Sequence, residues 1–293
     1  MLVTQVSRPA RAMAADVIAL TKPRLSSLVV ATSGVGVLVA PGHISPARAV
    51  AVVLTTALLV AAANTVNSYM ERDIDARMPR TALRPLAAGR LDPRSALVGG
   101  IVGAIILVPL LAVLANPLTA FLGAVAYVTY VGLYTPLKQI SSWALPIGAI
   151  PGALPPAMGA TAVTGHLDAT ALVLFGILFV WQLPHFVAIS MYLRDEYRQG
   201  GLRVFALVHG DRVSAAVIIV STFALVPMSL LAVPAGLGGA AYLVVAGVLG
   251  AAFFALAASF PVAASVDRWA RWVFRASLLY LVSLLAALSA GVG

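Results

Sequence analysis

Nine long apolar stretches dominate this chain and restrict it to one kind of fold. They lie near residues 20–41, 46–70, 95–115, 117–135, 143–163, 169–193, 213–233, 236–260 and 270–290. An α-helix needs about 20 consecutive apolar residues to cross the hydrocarbon core of a bilayer. The pattern therefore predicts an all-α membrane protein in which residues 1–293 form a single domain, with nine transmembrane helices bundled around a central cavity.

The composition agrees with a lipid environment and excludes several classes of protein. Charged residues make up 10% of the chain and hydrophobic residues 61%, whereas soluble domains carry roughly a quarter of charged residues. The lack of cysteine excludes disulfides, thiolate metal sites and catalytic thiols. The net charge of +9 does not indicate nucleic acid, because the basic residues lie between apolar runs rather than on one polar face. Asp16, Lys22 and Arg24 interrupt the N-terminal region, which argues against a cleavable signal peptide.

Basic residues are distributed so unevenly between the loops that they predict the orientation of the bundle. With nine spans, 18 of the 19 Lys and Arg residues fall on one side of the membrane, and only Arg48 falls on the other. Loops that are rich in Lys and Arg stay on the cytoplasmic side. We therefore expect the N-terminus inside and the C-terminus outside, in a bacterial cytoplasmic membrane or, as the alternative, a mitochondrial inner membrane.

Four polar residues near the end of the second apolar stretch form the first candidate site. Asn67, Glu71 and Asp75 are spaced i, i+4, i+8 and Asn64 precedes them, so on a helix each step turns by only about 40° and the residues form one stripe. Asp73 points elsewhere. Carboxylate and amide oxygens in such a stripe suit Mg²⁺, which completes its shell with water and phosphate oxygens.

Basic residues follow this stripe and would bind the remaining oxygens of a diphosphate. They are Arg77, Arg80 and Arg84. The alternative is an ordinary helix end, where the acidic residues pair with neighbouring arginines in water. Because polar groups inside an apolar run are costly unless they face a polar cavity, Asn64 and Asn67 favour the site.

A second polar cluster begins within the sixth apolar stretch and continues just beyond it. His185, Tyr192 and Glu196 are spaced i, i+7, i+11, so a continuous helix would place them within about 20° of one direction. Pro184 predicts a kink in that helix. A lone intramembrane histidine can be a packing residue, but beside Gln182 and in line with Glu196 it indicates a cavity wall, since ionisable residues at that depth mark functional sites by default.

The fourth loop and the fifth helix carry weaker signals. Lys138 is the only strong charge in that loop. It could contact a phosphate or anchor the helix at the lipid headgroups, and its spacing does not decide between the two. Gly148 and Gly152 permit close approach of a backbone or a flat ligand, and helix packing is the favoured interpretation.

Several separated motifs carry a resemblance to a known family. The segment NSYMERDIDARM at 67–78, with RT at 80–81 and RPL at 84–86, resembles the first aspartate-rich motif of the UbiA-type intramembrane prenyltransferases. More narrowly, it is similar to the haem O synthase subfamily. Matching segments follow that subfamily in order at 21–24, 134–135, 148–165, 184–186 and 192–197. Glu71, Ala144 and the stretch 202–206 depart from its usual pattern.

The resemblance implies transfer of farnesyl from farnesyl diphosphate to a vinyl group of haem b, with Mg²⁺ as cofactor and the lipid bilayer as surroundings. Expected catalytic residues are Asn67, Glu71, Asp75 and His185. Expected substrate-binding residues are Lys22, Arg24, Asn64, Arg80, Arg84, Lys138, Tyr192 and Arg194. Expected metal-binding residues are Asn67, Glu71, Asp75, Asp195 and Glu196. Whether His185 ligates the haem iron or positions a water stays open, as does a haem-handling membrane partner.

Two other functions compete with this one. A transporter also has many helices and polar residues within the membrane, but it would place them near mid-helix, within reach of both sides. Here both acidic clusters lie at the predicted inner ends. The nearer competitor is a prenyltransferase for a quinone precursor or another flat aromatic acceptor, and His185 in the second cluster favours haem over that acceptor.

The charge distribution generates a topological prediction. A reporter fused after Gly293 should be active outside the membrane, and a reporter inserted near Arg90 should be active inside, because 18 of 19 basic residues otherwise face the wrong side. Paired alkaline phosphatase and fluorescent protein fusions measure this. The inverse pattern would contradict a site at the cytoplasmic face.

Overall fold

The fold is entirely helical over the residues that the computed structural model describes, 9–291, with the side chains of Arg24, Leu25 and Val262 outside that description. Arg8, which the charge distribution includes, also lies outside it. The helices are α1 (Ala10–Leu20), α2 (Pro23–Val39), α3 (Pro46–Asp75), α4 (Pro93–Leu114), α5 (Pro117–Val128), a π-helical segment (Thr129–Tyr134), α6 (Thr135–Ile140), α7 (Ala144–Thr164), α8 (Ala169–Tyr192), α9 (Arg194–Gln199), α10 (Phe205–Leu230), α11 (Ala240–Ala258), a short 3₁₀ turn (Phe260–Val262) and α12 (Val266–Ala290).

Local sequence explains where the long helices begin. Proline occupies the first position of α2, α3, α4 and α5, where its missing N–H would have no intrahelical partner in any case. Polar side chains accept hydrogen bonds from the free N–H groups of the first turn. Asp92 accepts from Ser95 N (2.8 Å), and Asn116 accepts from Thr119 N (2.9 Å).

Seven helices in the described part of the chain are long and apolar enough to cross a membrane. The helical membrane fold is therefore confirmed, but the count of nine spans is not. Two of the nine predicted spans are not among the seven: α2 has 17 residues, and α7 contains Pro151, Pro155 and Pro156. The orientation of the termini stays a prediction.

The end of the eighth helix corrects one prediction. The chain leaves helical geometry at Leu193 (φ −106°, ψ 20°), and α9 starts anew at Arg194. Glu196 therefore does not lie on the same continuous helix as His185 and Tyr192, and the expected single stripe of the three residues is wrong. Spacing places residues on one face only along an unbroken helix, and α8 ends at Tyr192.

The helices enclose a cavity between two packed halves. In one half α8 is central and packs against α7, α10 and α12, and in the other α3 packs against α4 and α2. The halves meet where α2 crosses α7. Glycines make that crossing close: a Cβ atom on Gly36 would collide with the carbonyl of Pro156, and one on Gly159 would collide with the carbonyl of Ser33.

This crossing predicts a local effect of substitution. Gly36→Ala should destabilise the protein by about 1–3 kcal/mol, because the methyl group meets backbone that cannot move aside. Gly34→Ala is the matched control on the same helix, since its Cβ would have no atom within 4 Å. Thermal unfolding in detergent should show a lower midpoint for the first variant only. Equal midpoints would contradict the close crossing.

Candidate active site

A cavity of about 440 Å³ lies between α2, α3, the π-helical segment, α7 and α8. Two parts of its lining differ in chemistry, and we call them its two ends. One end is charged and is built from α3, α6 and the loop between α3 and α4. The other is apolar and aromatic, with a wall that includes Trp181, His185 and Phe186 on α8.

The predicted stripe on α3 lines the charged end. Asn64, Asn67, Glu71 and Asp75 are all buried and all face the cavity, with Glu71 only 5% exposed and Asp75 2% exposed. The side chain of Asp73, by contrast, is 75% exposed and pairs with a neighbouring arginine. The prediction that these four residues share one face of α3 is therefore confirmed. They line a buried cavity and do not form a solvated helix end.

Three members of the stripe, Asn67, Glu71 and Asp75, are each held by a cation from another segment. Lys138 on α6 forms an ion pair with Glu71, and Lys22 donates to the amide oxygen of Asn67. Arg84 Nη1 donates to both carboxylate oxygens of Asp75, at 2.9 and 2.8 Å. These pairs satisfy charges that would otherwise be costly to bury.

The structure decides the position of Lys138, which the sequence left open. The side chain lines the cavity next to Glu71 and lies 5.1 Å from the ring centroid of Tyr134. It is therefore a site residue and not a headgroup anchor. Lys22 reaches the site because it precedes α2 in the left-handed backbone conformation (φ 51°), which turns the chain sharply out of α1.

The π-helical segment contributes residues that sequence reasoning overlooked. The hydroxyl of Tyr130 donates to Asn64 Oδ1 (3.2 Å), and its ring stacks on Tyr134 at 5.5 Å. Next to this segment, Oγ1 of Thr135, the first residue of α6, accepts from Asn67 Nδ2 (2.9 Å). An i→i+5 turn within an apolar stretch has no distinct sequence signature, although π-helical turns are frequent at functional sites. The adjacent residues Tyr134 and Thr135 in a family motif were the available signal.

The charged end carries an excess of positive charge. Among the described residues that line the cavity, five are basic and two are acidic. The basic residues are Lys22, Arg80, Arg84, Lys138 and Arg203. Tyr197 on α9 also lines it, and burial raises the pKa of its hydroxyl, so that it stays a hydrogen-bond donor at neutral pH. This end is suited to an anion with several oxygens.

The histidine wall is assembled by α8 and α12. The imidazole of His185 lies between the rings of Trp181 and Phe274, with centroid distances of 4.6 Å to each. Its Nδ1 hydrogen-bonds Ser277 Oγ at 2.8 Å. Tyr192 packs edge-on against Phe274 at 5.6 Å, so it stands behind this wall and is not among the residues that line the cavity.

The remaining predicted residues are placed unequally. Glu196 accepts from Arg80 Nε at 3.0 Å, which brings the two acidic clusters to the same end of the bundle. Asp195 is exposed and pairs with a neighbouring arginine of α9. Arg194 pairs with two aspartates, at 2.8 and 3.1 Å, outside the cavity lining. The side chain of Arg24 lies outside the described part of the structure.

Glycines on α7 give the site its shape. A Cβ atom on Gly148 would collide with the ring of Tyr134, and one on Gly152 would collide with the amide of Gln182. Gln182 in turn donates from Nε2 to the backbone carbonyl of Ala149 (3.0 Å). The packing interpretation of the two glycines is confirmed, and the side chains that they admit line the cavity.

Known proteins match this chain along most of its length. It is 55% identical over 278 residues to the protoheme IX farnesyltransferase of Anaeromyxobacter sp. strain Fw109-5, covering 95% of this chain and 94% of the relative. It is 47% identical over 277 residues to the protoheme IX farnesyltransferase of Myxococcus xanthus strain DK1622, covering 94% of each.

Solved structures share the fold at low sequence identity. A chain of digeranylgeranylglyceryl phosphate synthase superposes with a TM-score of 0.80 at 14% identity, covering 94% of this chain and 97% of that one. A UbiA homologue from Archaeoglobus fulgidus bound to DMAPP and Mg²⁺ has a TM-score of 0.69 at 16% identity, covering 94% and 99%. The model of the UbiA prenyltransferase family matches residues 27–279. This chain therefore belongs to the UbiA prenyltransferase family.

Proposed function

We propose that this protein transfers the farnesyl group of farnesyl diphosphate to a vinyl group of haem b, with addition of water, giving haem O and diphosphate. The observation that carries the proposal is one cavity with a cationic, oxygen-rich end and an aromatic end that holds His185. The names of the relatives at 55% and 47% identity support the same reaction.

The charged end would bind the diphosphate. Three basic side chains reach it from different segments: Lys22, Lys138 and Arg84. Because they approach from different directions, together they can surround an anion. In their present arrangement they neutralise the stripe on α3. Arg80 is held by Glu196 at the same end. Neutralising the leaving group promotes ionisation, because the charge that develops on it is stabilised in the transition state.

The stripe on α3 fits Mg²⁺. Asn67, Glu71 and Asp75 offer one amide and two carboxylate groups with buried oxygens at the cavity wall, and hard oxygen ligands of this kind are what Mg²⁺ takes, with water and phosphate completing its shell. When bound there, the ion would supply positive charge to the leaving diphosphate. Exposed Asp195 and the paired Glu196 are the weaker members of the predicted metal set.

The apolar walls of the cavity would protect the reacting carbon. The C1–O bond of farnesyl diphosphate breaks and the electron pair leaves with the diphosphate. The terminal vinyl carbon of haem b then bonds to C1, which leaves a cation next to the porphyrin ring, and a water adds to that cation and loses a proton. Apolar residues from α2, α3 and α7 also line the cavity and would keep other water from capturing the allylic cation first.

His185 would serve the acceptor. Its ring stands in an aromatic wall that suits a flat porphyrin, on a different helix from the diphosphate site. An imidazole can ligate iron or accept a proton from water, and both roles are compatible with this position. We place the protein in the bacterial cytoplasmic membrane, because its helices are apolar and its named relatives are bacterial.

The competing functions are less well supported. A carrier needs polar residues that both sides can reach, whereas the contact of Arg80 with Glu196 brings the two acidic clusters to one end of the bundle. A quinone precursor would also fit an aromatic wall. The relatives named as protoheme IX farnesyltransferases favour haem.

The direct test is to express the chain in membranes, supply haem b and farnesyl diphosphate, extract the haems and analyse them by mass. We expect haem O, and we expect EDTA to abolish it and Mg²⁺ to restore it, since the leaving group needs neutralisation. A prenylated quinone precursor in place of haem O would establish the competing acceptor. Full activity in EDTA would contradict the metal assignment.

The two ends of the cavity predict different defects. Asp75→Ala or Asn67→Ala should lower turnover by about a thousandfold, and Glu71→Asp should be mild because the charge is kept. His185→Ala should abolish haem O formation but leave binding of a non-hydrolysable farnesyl diphosphate analogue within a few fold. Arg194→Gln, which removes a half-buried ion pair outside the cavity lining, is the control for loss of an ion pair and should leave both readouts unchanged. Loss of analogue binding in His185→Ala would contradict the division.

A further inference from the structure

Ser277 on α12 connects two residues of the histidine wall. It is completely buried, and its backbone carbonyl accepts a hydrogen bond from Trp181 Nε1 at 2.6 Å. Its hydroxyl lies 2.8 Å from Nδ1 of His185, one turn further along α8. The same hydroxyl lies 2.7 Å from the carbonyl oxygen of Phe274 and donates to it. One residue of α12 therefore contacts α8 at two successive turns.

Counting protons around this hydroxyl fixes the tautomer of the imidazole. A serine hydroxyl has one proton and two lone pairs. The proton is used in the bond to the carbonyl of Phe274, which has only lone pairs to offer. The hydroxyl oxygen must then accept from His185, so Nδ1 carries the ring proton. In a neutral imidazole the other nitrogen, Nε2, then has the free lone pair.

The surroundings of the ring leave Nε2 for a ligand. The imidazole packs against the rings of Trp181 and Phe274, and Nδ1 is held by Ser277. Nε2 makes no hydrogen bond to any described residue, and it is not among the buried polar atoms that lack a partner. Since His185 lines the cavity, the accessible nitrogen faces the space where the acceptor would bind.

We propose that Ser277 is a positioning residue that holds His185 in the Nδ1-protonated tautomer, so that the lone pair of Nε2 is presented to the haem acceptor. The inference rests on the proposed function for the identity of the acceptor. Both open roles of His185 need this tautomer, because iron ligation and proton abstraction from water each require a lone pair on Nε2. A hydrogen bond to the remote nitrogen also orients the ring and raises the basicity of the ligating nitrogen.

The tautomer can be measured without any activity assay. The protein labelled with ¹⁵N-histidine, in lipid bilayers, gives ring nitrogen signals that separate protonated from unprotonated nitrogens, and a His185→Gln sample assigns the signals of His185 among the four histidines. We expect a protonated Nδ1 in the wild type and loss of that preference in Ser277→Ala. A protonated Nε2 in the wild type, or an unchanged tautomer in Ser277→Ala, would overturn the proposal.

The same variants give a functional readout. Ser277→Ala should lower haem O formation about ten- to a hundredfold, as loss of a supporting hydrogen bond does, with binding of the farnesyl diphosphate analogue unchanged. The fold should survive, because Trp181 bonds the backbone of residue 277 and not its side chain. Ser214→Ala is the matched control, since that serine is also fully buried and donates to a backbone carbonyl, Gly210 O, at 2.7 Å.

These results separate the two proposals. A wild-type protein that forms no haem O but shows the Nδ1-protonated tautomer would remove the proposed function and leave the role of Ser277 in the tautomer intact. Normal haem O formation by Ser277→Ala, or an equal loss in Ser214→Ala, would reject Ser277 as a positioning residue while the function stands.

Discussion

The neutralisation of Glu71 and Asp75 is the constraint on which the rest of the structure depends. Two carboxylates buried in an apolar bundle cost several kcal/mol each unless cations meet them. Here Lys138 and Arg84 provide those cations from α6 and from the loop after α3. The helices around the site are thus arranged so that basic side chains from separate segments converge on one face of α3. These basic side chains can exchange their carboxylate partners for the oxygens of an anionic substrate.

The part of the cavity formed by α7 and α8 meets a different requirement, which is to accommodate the acceptor. Haem is large and flat, and its reacting vinyl group must lie beside the allylic carbon while water is kept away from that carbon. The glycines of α7 admit Tyr134 and Gln182 into the wall, and α8 and α12 together hold His185 in an aromatic setting. Charge neutralisation and the proposed acceptor binding therefore use different parts of the lining of one cavity.

The helical membrane fold and the α3 stripe could be predicted because both depend on local periodicity. Residues four apart on a helix share a face whatever the rest of the chain does. The site also depends on contacts that no local pattern encodes. The break at Leu193 separated Glu196 from His185, Lys138 acquired its partner only through the packing of α6 on α3, and Ser277 lies on a helix that carried no motif. A sequence can therefore predict which residues share a helix face, whereas their contact partners depend on tertiary packing.

The most direct test of this account is a structure with haem b, Mg²⁺ and a non-hydrolysable farnesyl diphosphate analogue bound together. The account predicts the diphosphate within hydrogen-bond distance of Lys22 and Lys138, with the metal on the α3 stripe, and it predicts the porphyrin in contact with His185 and Trp181 with a vinyl group facing C1. Haem bound outside the cavity, or a diphosphate at the His185 end, would contradict it.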